Sequence, residues 1–178
     1  MDVDDRSLIS VLIRDRRRIM DLHMRLVTHC EDRRQVADEM ADRLIKHIVA
    51  EELYLYPVIG AVLPGCAFDV AHQREIGARV EQILADLSEA EPDSFLFDEL
   101  VTRLIVEGRQ AILHEELGVH PQLARHGDRQ TLAALGDMVR AFEDASVVEK
   151  TCGTGLAIRF GDRVIHRWAP VTATAGSQ

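Results

Sequence analysis

The sequence predicts an all-α protein: an up-and-down antiparallel bundle of four helices, with a short fifth helix and a C-terminal hairpin or extended tail. Three observations carry that expectation. Hydrophobic residues make up 47% of the chain but aromatic residues only 4%, so the core has to be built from Leu, Ile, Val and Ala. Those residues recur at three- and four-residue intervals, the period of one helix face rather than of a strand. Four such runs are joined by connections short enough to link antiparallel neighbours.

Each element follows from its own residues. From Asp4 to Cys30, the apolar Leu8, Val11, Leu12, Ile19, Leu22 and Leu26 define a first helix with arginines between them. The second begins near Asp32, runs through Val36, Met40, Leu44, Ile48 and Leu55, and is expected to stop at Pro57, which lacks a backbone N–H. Leu63-Pro64-Gly65 then reads as a loop. Val70, Ile76, Val80, Ile83, Leu84 and Leu87 mark a third helix, ended by the turn-like Glu91-Pro92-Asp93-Ser94. A fourth runs from Leu96 through Leu104 and Ile112 to an expected stop at Pro121, and a fifth, about Arg129 to Ala145, is expected to lie across one end.

At 178 residues the chain suits one domain plus a tail: residues 1–150 as the bundle and 151–178 as hairpin and tail. In the latter, Leu156-Ala157-Ile158-Arg159-Phe160 and Arg163-Val164-Ile165-His166-Arg167-Trp168 flank Gly161-Asp162, the pattern of a hairpin with a two-residue turn. An isolated hairpin is marginal, so this one is expected to dock on the bundle or on a partner.

The charge balance narrows the partners. With 21 basic against 30 acidic side chains the formal charge is −9, which opposes nucleic acid or an anionic membrane as the main partner. No apolar run approaches the roughly 20 residues that span a bilayer. The start Met1-Asp2-Val3-Asp4-Asp5 is unlike the basic region of a signal peptide. Cys30, Cys66 and Cys152 form neither a disulfide framework nor a CxxC knuckle. Together these features make a cytoplasmic protein the expectation.

One motif carries chemistry. The segment Glu51-Glu52-Leu53-Tyr54-Leu55-Tyr56-Pro57 is echoed by Glu115-Glu116-Leu117-Gly118-Val119-His120-Pro121, sharing Glu-Glu-Leu at the start and Pro at the end. His47 precedes Glu51 by four residues, so both side chains leave one helix face about 40° apart with roughly 6 Å of rise between them. An imidazole and a carboxylate so placed can ligate one metal ion.

His47-x3-Glu51-Glu52-Leu53 followed by an aromatic residue and Pro57, with His72 early on the third helix, resembles the HHE cation-binding branch of the hemerythrin family, over about 140 residues. The resemblance implies a bundle holding iron, two ions in that family, between histidines and bridging carboxylates, with His47, Glu51, His72 and Glu115 at ligand positions. Manganese or zinc would also suit such donors.

The chain departs from the family pattern in three places. Asp15-Arg16 stands where an Asp-His pair is usual, Ala111 where the fourth helix carries a histidine, and Ile76 where an optional histidine falls. His114, one turn from Ala111, is the expected substitute ligand beside Glu115. His23 reaches the metal level only if the first helix slips by two turns.

Two functions follow as expectations. One is a cytoplasmic non-haem iron protein that binds or responds to dioxygen, nitric oxide, peroxide or iron; whether it is an enzyme stays open. The other is a metal-free bundle kept as a regulatory or interaction module, in which Arg16 neutralises Glu51 or Glu115 itself. There the hairpin, with Phe160, Val164, Ile165 and Trp168, would be the contact surface for a partner or for a second copy in a homodimer. Tyr54 and Tyr56 are expected to be packing residues, and His120 and His126 to be exposed at a helix C-terminus. The remaining arginines between Arg14 and Arg18 are expected to form a solvated face.

Overall fold

The computed structural model describes residues 5–28, 32–65, 70–150, 156–160 and 163–166. The protein is mostly helical, with helices α1 (Leu8–Val27), α2 (Arg33–Ala50), α3 (Tyr56–Val62), α4 (Val70–Glu89), α5 (Phe95–His114), α6 (His120–His126) and α7 (Arg129–Ala145). A small antiparallel sheet follows: β1 (Val147–Lys150), β2 (Leu156–Phe160) and β3 (Arg163–His166). Among the described residues no helix is long and apolar enough to cross a membrane. Cys30, Cys66, Cys152 and Trp168 lie outside the described residues.

Local chemistry sets the helix starts. Ser7 Oγ accepts from the Ser10 N–H, an Asp32 carboxylate oxygen from the Gln35 N–H, and an Asp128 carboxylate oxygen from the Thr131 N–H. Each satisfies one of the donors a helix leaves open at its first turn. Arg33, stacked 4.6 Å over the Phe97 ring, bonds the Pro92 carbonyl and Asp98. Arg34 bonds the Leu87, Ser88 and Ala90 carbonyls. The two arginines therefore fasten the end of α4 and the turn into α5 to the start of α2.

The prolines do not end their helices as the sequence suggests. Between α2 and α3, and again between α5 and α6, the chain passes through five-residue π turns, Glu51–Leu55 and Glu115–Val119. The proline ring would clash with the carbonyl four residues earlier in a regular α-helix. In the first turn the Tyr56 N–H instead reaches five residues back to the Glu51 carbonyl. This wider turn makes room for Pro57, and the helix continues. Pro57 and Pro121 then sit in the first turn of α3 and α6, where a missing N–H costs nothing.

α1 packs on α2, α2 on α4, α4 on α5 and α5 back on α1. Leu8, Leu12, Leu26, Met40, Ile45, Ile83, Leu87, Phe97 and Leu100 fill the space between them and are fully buried. α7 lies lengthwise along α1 rather than across an end. Its Gly136 meets the backbone of Arg6 to Leu8, and its Glu143 one side of Asp15. Phe142 of α7 is buried edge-on against Tyr54 at 6.3 Å.

The hairpin expected from the sequence is present, with Ala157 to Phe160 paired against His166 to Arg163. It gains a third strand that the sequence reading lacked: β1, directly after α7, pairs with β2. The sheet thus straddles position 150 and docks on the helices through Val148 and the buried Ile158. The turn at Gly161-Asp162 and the side chains of Phe160, Val164 and Ile165 lie outside the described residues.

Candidate functional site

The middle of the helical core is ionic. Asp15 and Arg16 are consecutive on α1, so their side chains leave the helix about 100° apart and serve two halves of one network. Asp15 accepts from Arg43 Nη1 and from His47 Nδ1, both at 2.9 Å. His47 Nε2 lies 3.0 Å from Glu51 Oε1. Arg16 Nη2 donates to that same oxygen at 2.9 Å and also to Glu115 Oε2, while its Nη1 lies 3.5 Å from Glu116 Oε1 at the rim.

Burial makes each of these charges depend on its neighbours. Desolvation alone would lower His47, but the Glu51 charge and the bonds to Asp15 and Glu51 raise it to about 10, so it is an imidazolium. Desolvation would raise Glu51, yet His47 and Arg16 outweigh it and hold the carboxyl at about 2. Glu115 goes the other way: burial and the charge of Glu51 push it up to about 8 despite Arg16. Two carboxyl groups around one guanidinium thus share a proton near neutral pH. Asp15 is held low by His47 and Arg43 against its own burial.

Three cations, Arg16, Arg43 and His47, therefore face three carboxyl groups, Asp15, Glu51 and Glu115. A metal ion does not fit this set. Both oxygens of Asp15, Oε1 of Glu51 and Oε2 of Glu115 are engaged by guanidinium or imidazolium. A divalent cation bridging the two glutamates through these oxygens would have to displace Arg16 from them. Among the described residues no three His, Cys, Asp or Glu side chains are placed to hold a metal.

Of the residues singled out from the sequence, His47, Glu51 and Glu115 come together. His72 does not join them: its side chain is 51% exposed and lies 3.9 Å from Glu75 of its own helix. The interior position in that turn of α4 belongs to Gln73, which is buried. His114 ends α5, and its side chain, like that of Ala111, lies outside the described residues.

Other outcomes correct the reading in both directions. His120 is buried rather than exposed. The π turn shifts the helical phase after Glu115 and carries it inward, where burial and Arg16 hold its pKa down at about 4. Tyr56, its counterpart in the echoed segment, is buried beside the same network. His126 is exposed as expected, as are Arg14, Arg17 and Arg18, whereas Arg16 is buried. Asp15 and Arg43 were not recognised as site residues. Asp15 falls one position off the Arg16 stripe, and only the neighbouring helix reveals that this too is interior.

Beside the network lies a cavity of about 110 Å³ bounded by α1, α2, α4 and α5. Ile19, Met40, Ile76, Val80 and Leu104 form its walls. Arg16, His47 and Glu51 close one end, and His23, two helical turns along α1, contributes a second polar point. No protein-family model, no curated protein and no solved structure matches the chain.

Proposed function

We propose that this chain is a metal-independent regulatory or binding module, built as a hemerythrin-like up-and-down four-helix bundle in which an arginine takes the place of the metal. The observation that carries this reading is the single Arg16 guanidinium seated on both Glu51 and Glu115. A guanidinium is planar, permanently charged and able to bond two carboxylates at once, so it joins α1 to both π turns as a bridging cation would. The packing of α1 on α2, α2 on α4, α4 on α5 and α5 on α1 supports the bundle arrangement. What such a core offers function is a rigid ionic end next to an apolar cavity, the equipment of a module that receives a ligand or a partner.

Metal analysis of protein purified without a polyhistidine tag tests this directly. We expect well under one equivalent of iron, manganese or zinc per chain, and melting temperatures unchanged by ferrous iron or by EDTA. Arg16→His, which exchanges the resident cation for a ligand, should raise iron affinity. Two tightly held iron ions in the parent protein would overturn the proposal.

A further inference from the structure

We infer that the cavity between α1, α2, α4 and α5 is a binding site for a small, uncharged and mostly apolar molecule carrying one hydrogen-bonding group, about the size of a phenol, with that group on His23. This deepens the binding-module reading at a place that shares only one end with the charge network.

The size comes first. An apolar cavity of about 150 Å³ in a helical protein admits benzene, and the cavity here, about 110 Å³, is of the same order. Its walls are mostly aliphatic, with Gln73 also on them, and the charges at its closed end are paired with one another. At that end an ionised ligand would find no unengaged counter-charge and would have to be desolvated without compensation, since Arg109 stands at the exposed mouth and not at the closed end.

His23 supplies the specificity. It is 3% exposed and lines the cavity, and among the described residues neither ring nitrogen has a well-aligned hydrogen-bond partner, the Val101 backbone being the polar group close enough to raise its pKa. Buried polar groups are normally paired, and leaving one unpaired is costly. Burial lowers its pKa, so the ring is neutral and presents one N–H and one lone pair. A hydroxyl can answer either.

The glycines supply the room. Gly77 and Gly108 are interior residues of α4 and α5 that line the cavity, positions where glycine weakens a helix. A Cβ at Gly77 would press on Ile48 Cγ2 at 3.3 Å, but one at Gly108 would meet nothing within 4 Å. Packing therefore does not demand a glycine at 108, and what its absent side chain preserves is the cavity. Met20 and Arg109 line the cavity and are both exposed, which marks the way in. A flexible methionine suits that position.

The test uses the full chain, with phenol, benzene and benzoate as probes, followed by calorimetry and ligand-observed NMR. Phenol should bind saturably at one site per chain, benzene more weakly, and benzoate at least tenfold more weakly than phenol. Gly108→Leu should cut phenol affinity at least tenfold while leaving the melting temperature unchanged or higher, and Gly108→Ala should give a smaller loss of the same sign. His23→Leu should remove the preference for phenol over benzene and leave benzene binding intact. No saturable phenol binding, or equal binding by the parent and Gly108→Leu, would overturn the site. An equal loss of phenol and benzene in His23→Leu would overturn the role of His23. Metal content measured on the same samples keeps failure here distinct from failure of the metal-free reading, since a metallated protein that still binds phenol defeats only the latter.

Discussion

Replacing Arg16 with methionine keeps the apolar stem and removes the guanidinium from between Glu51 and Glu115. Both carboxyl groups are buried, and Arg16 is the cation that both of them touch. Removing one partner of a buried ion pair typically costs about 3–5 kcal/mol, because the other charge stays behind. For a domain of this size each kcal/mol lowers the melting temperature by about 2–4 °C, so the variant should melt on the order of 10 °C below the parent. The loss should also depend on pH. Without Arg16 the pKa of Glu115, already raised in the folded state, rises further, while Glu51 loses one of the two cations that hold it low. Stability tied to a raised pKa is whole below the ordinary carboxyl value and is lost as pH climbs through the folded one. The penalty should therefore be small near about pH 5, where a proton can replace the guanidinium, and largest near about pH 9. Urea titrations of parent and variant at these two values measure it, and Glu115→Gln, which removes a carboxylate, should lessen the alkaline penalty in the Arg16→Met background. A loss under about 1 kcal/mol that is equal at both pH values would refute the bridging role, since it is what an exposed arginine gives.

The parent protein should itself be most stable in mildly acidic solution. His47, at about 10, and Glu115, at about 8, both lose their contribution as pH rises through those values, whereas that of Glu51 is lost only as pH falls toward about 2. Stability should then fall by on the order of 1 kcal/mol per pH unit above neutrality, and a flat urea midpoint between about pH 5 and 10 would contradict this. Two glycine substitutions should act in opposite directions. Gly136→Ala drives a Cβ into the Arg6 carbonyl and the Ser7–Leu8 backbone, and should cost about 1–3 kcal/mol by forcing α1 and α7 apart. Gly108→Ala meets open space and should stabilise by up to about 1 kcal/mol; thermal melts of the pair decide both.

Much of the helical layout is local chemistry and so could be read directly. The Leu8 to Leu26 stripe, the Asp32 start, the Glu91 to Ser94 turn and the Arg129 to Ala145 helix each depend on residues a few positions apart. The hairpin register at Ile158 and Ile165 is of the same kind. The sequence also determined that Glu51 and Glu115 are equivalent, because the repeated segment around them is visible without any fold. Tertiary structure decided the rest. Whether Asp15, Arg16 or both face inward depends on which helices flank α1, and no periodicity within α1 can say. The outward turn of His72 and the inward turn of His120 are matters of helical phase. Packing sets the first, and the second comes from a π turn that accommodates Pro121 instead of ending the helix. Ligand-like spacing fixes only the angle between two side chains on one helix, whereas a metal site or an arginine bridge is settled by what the facing helices bring to the same few ångströms.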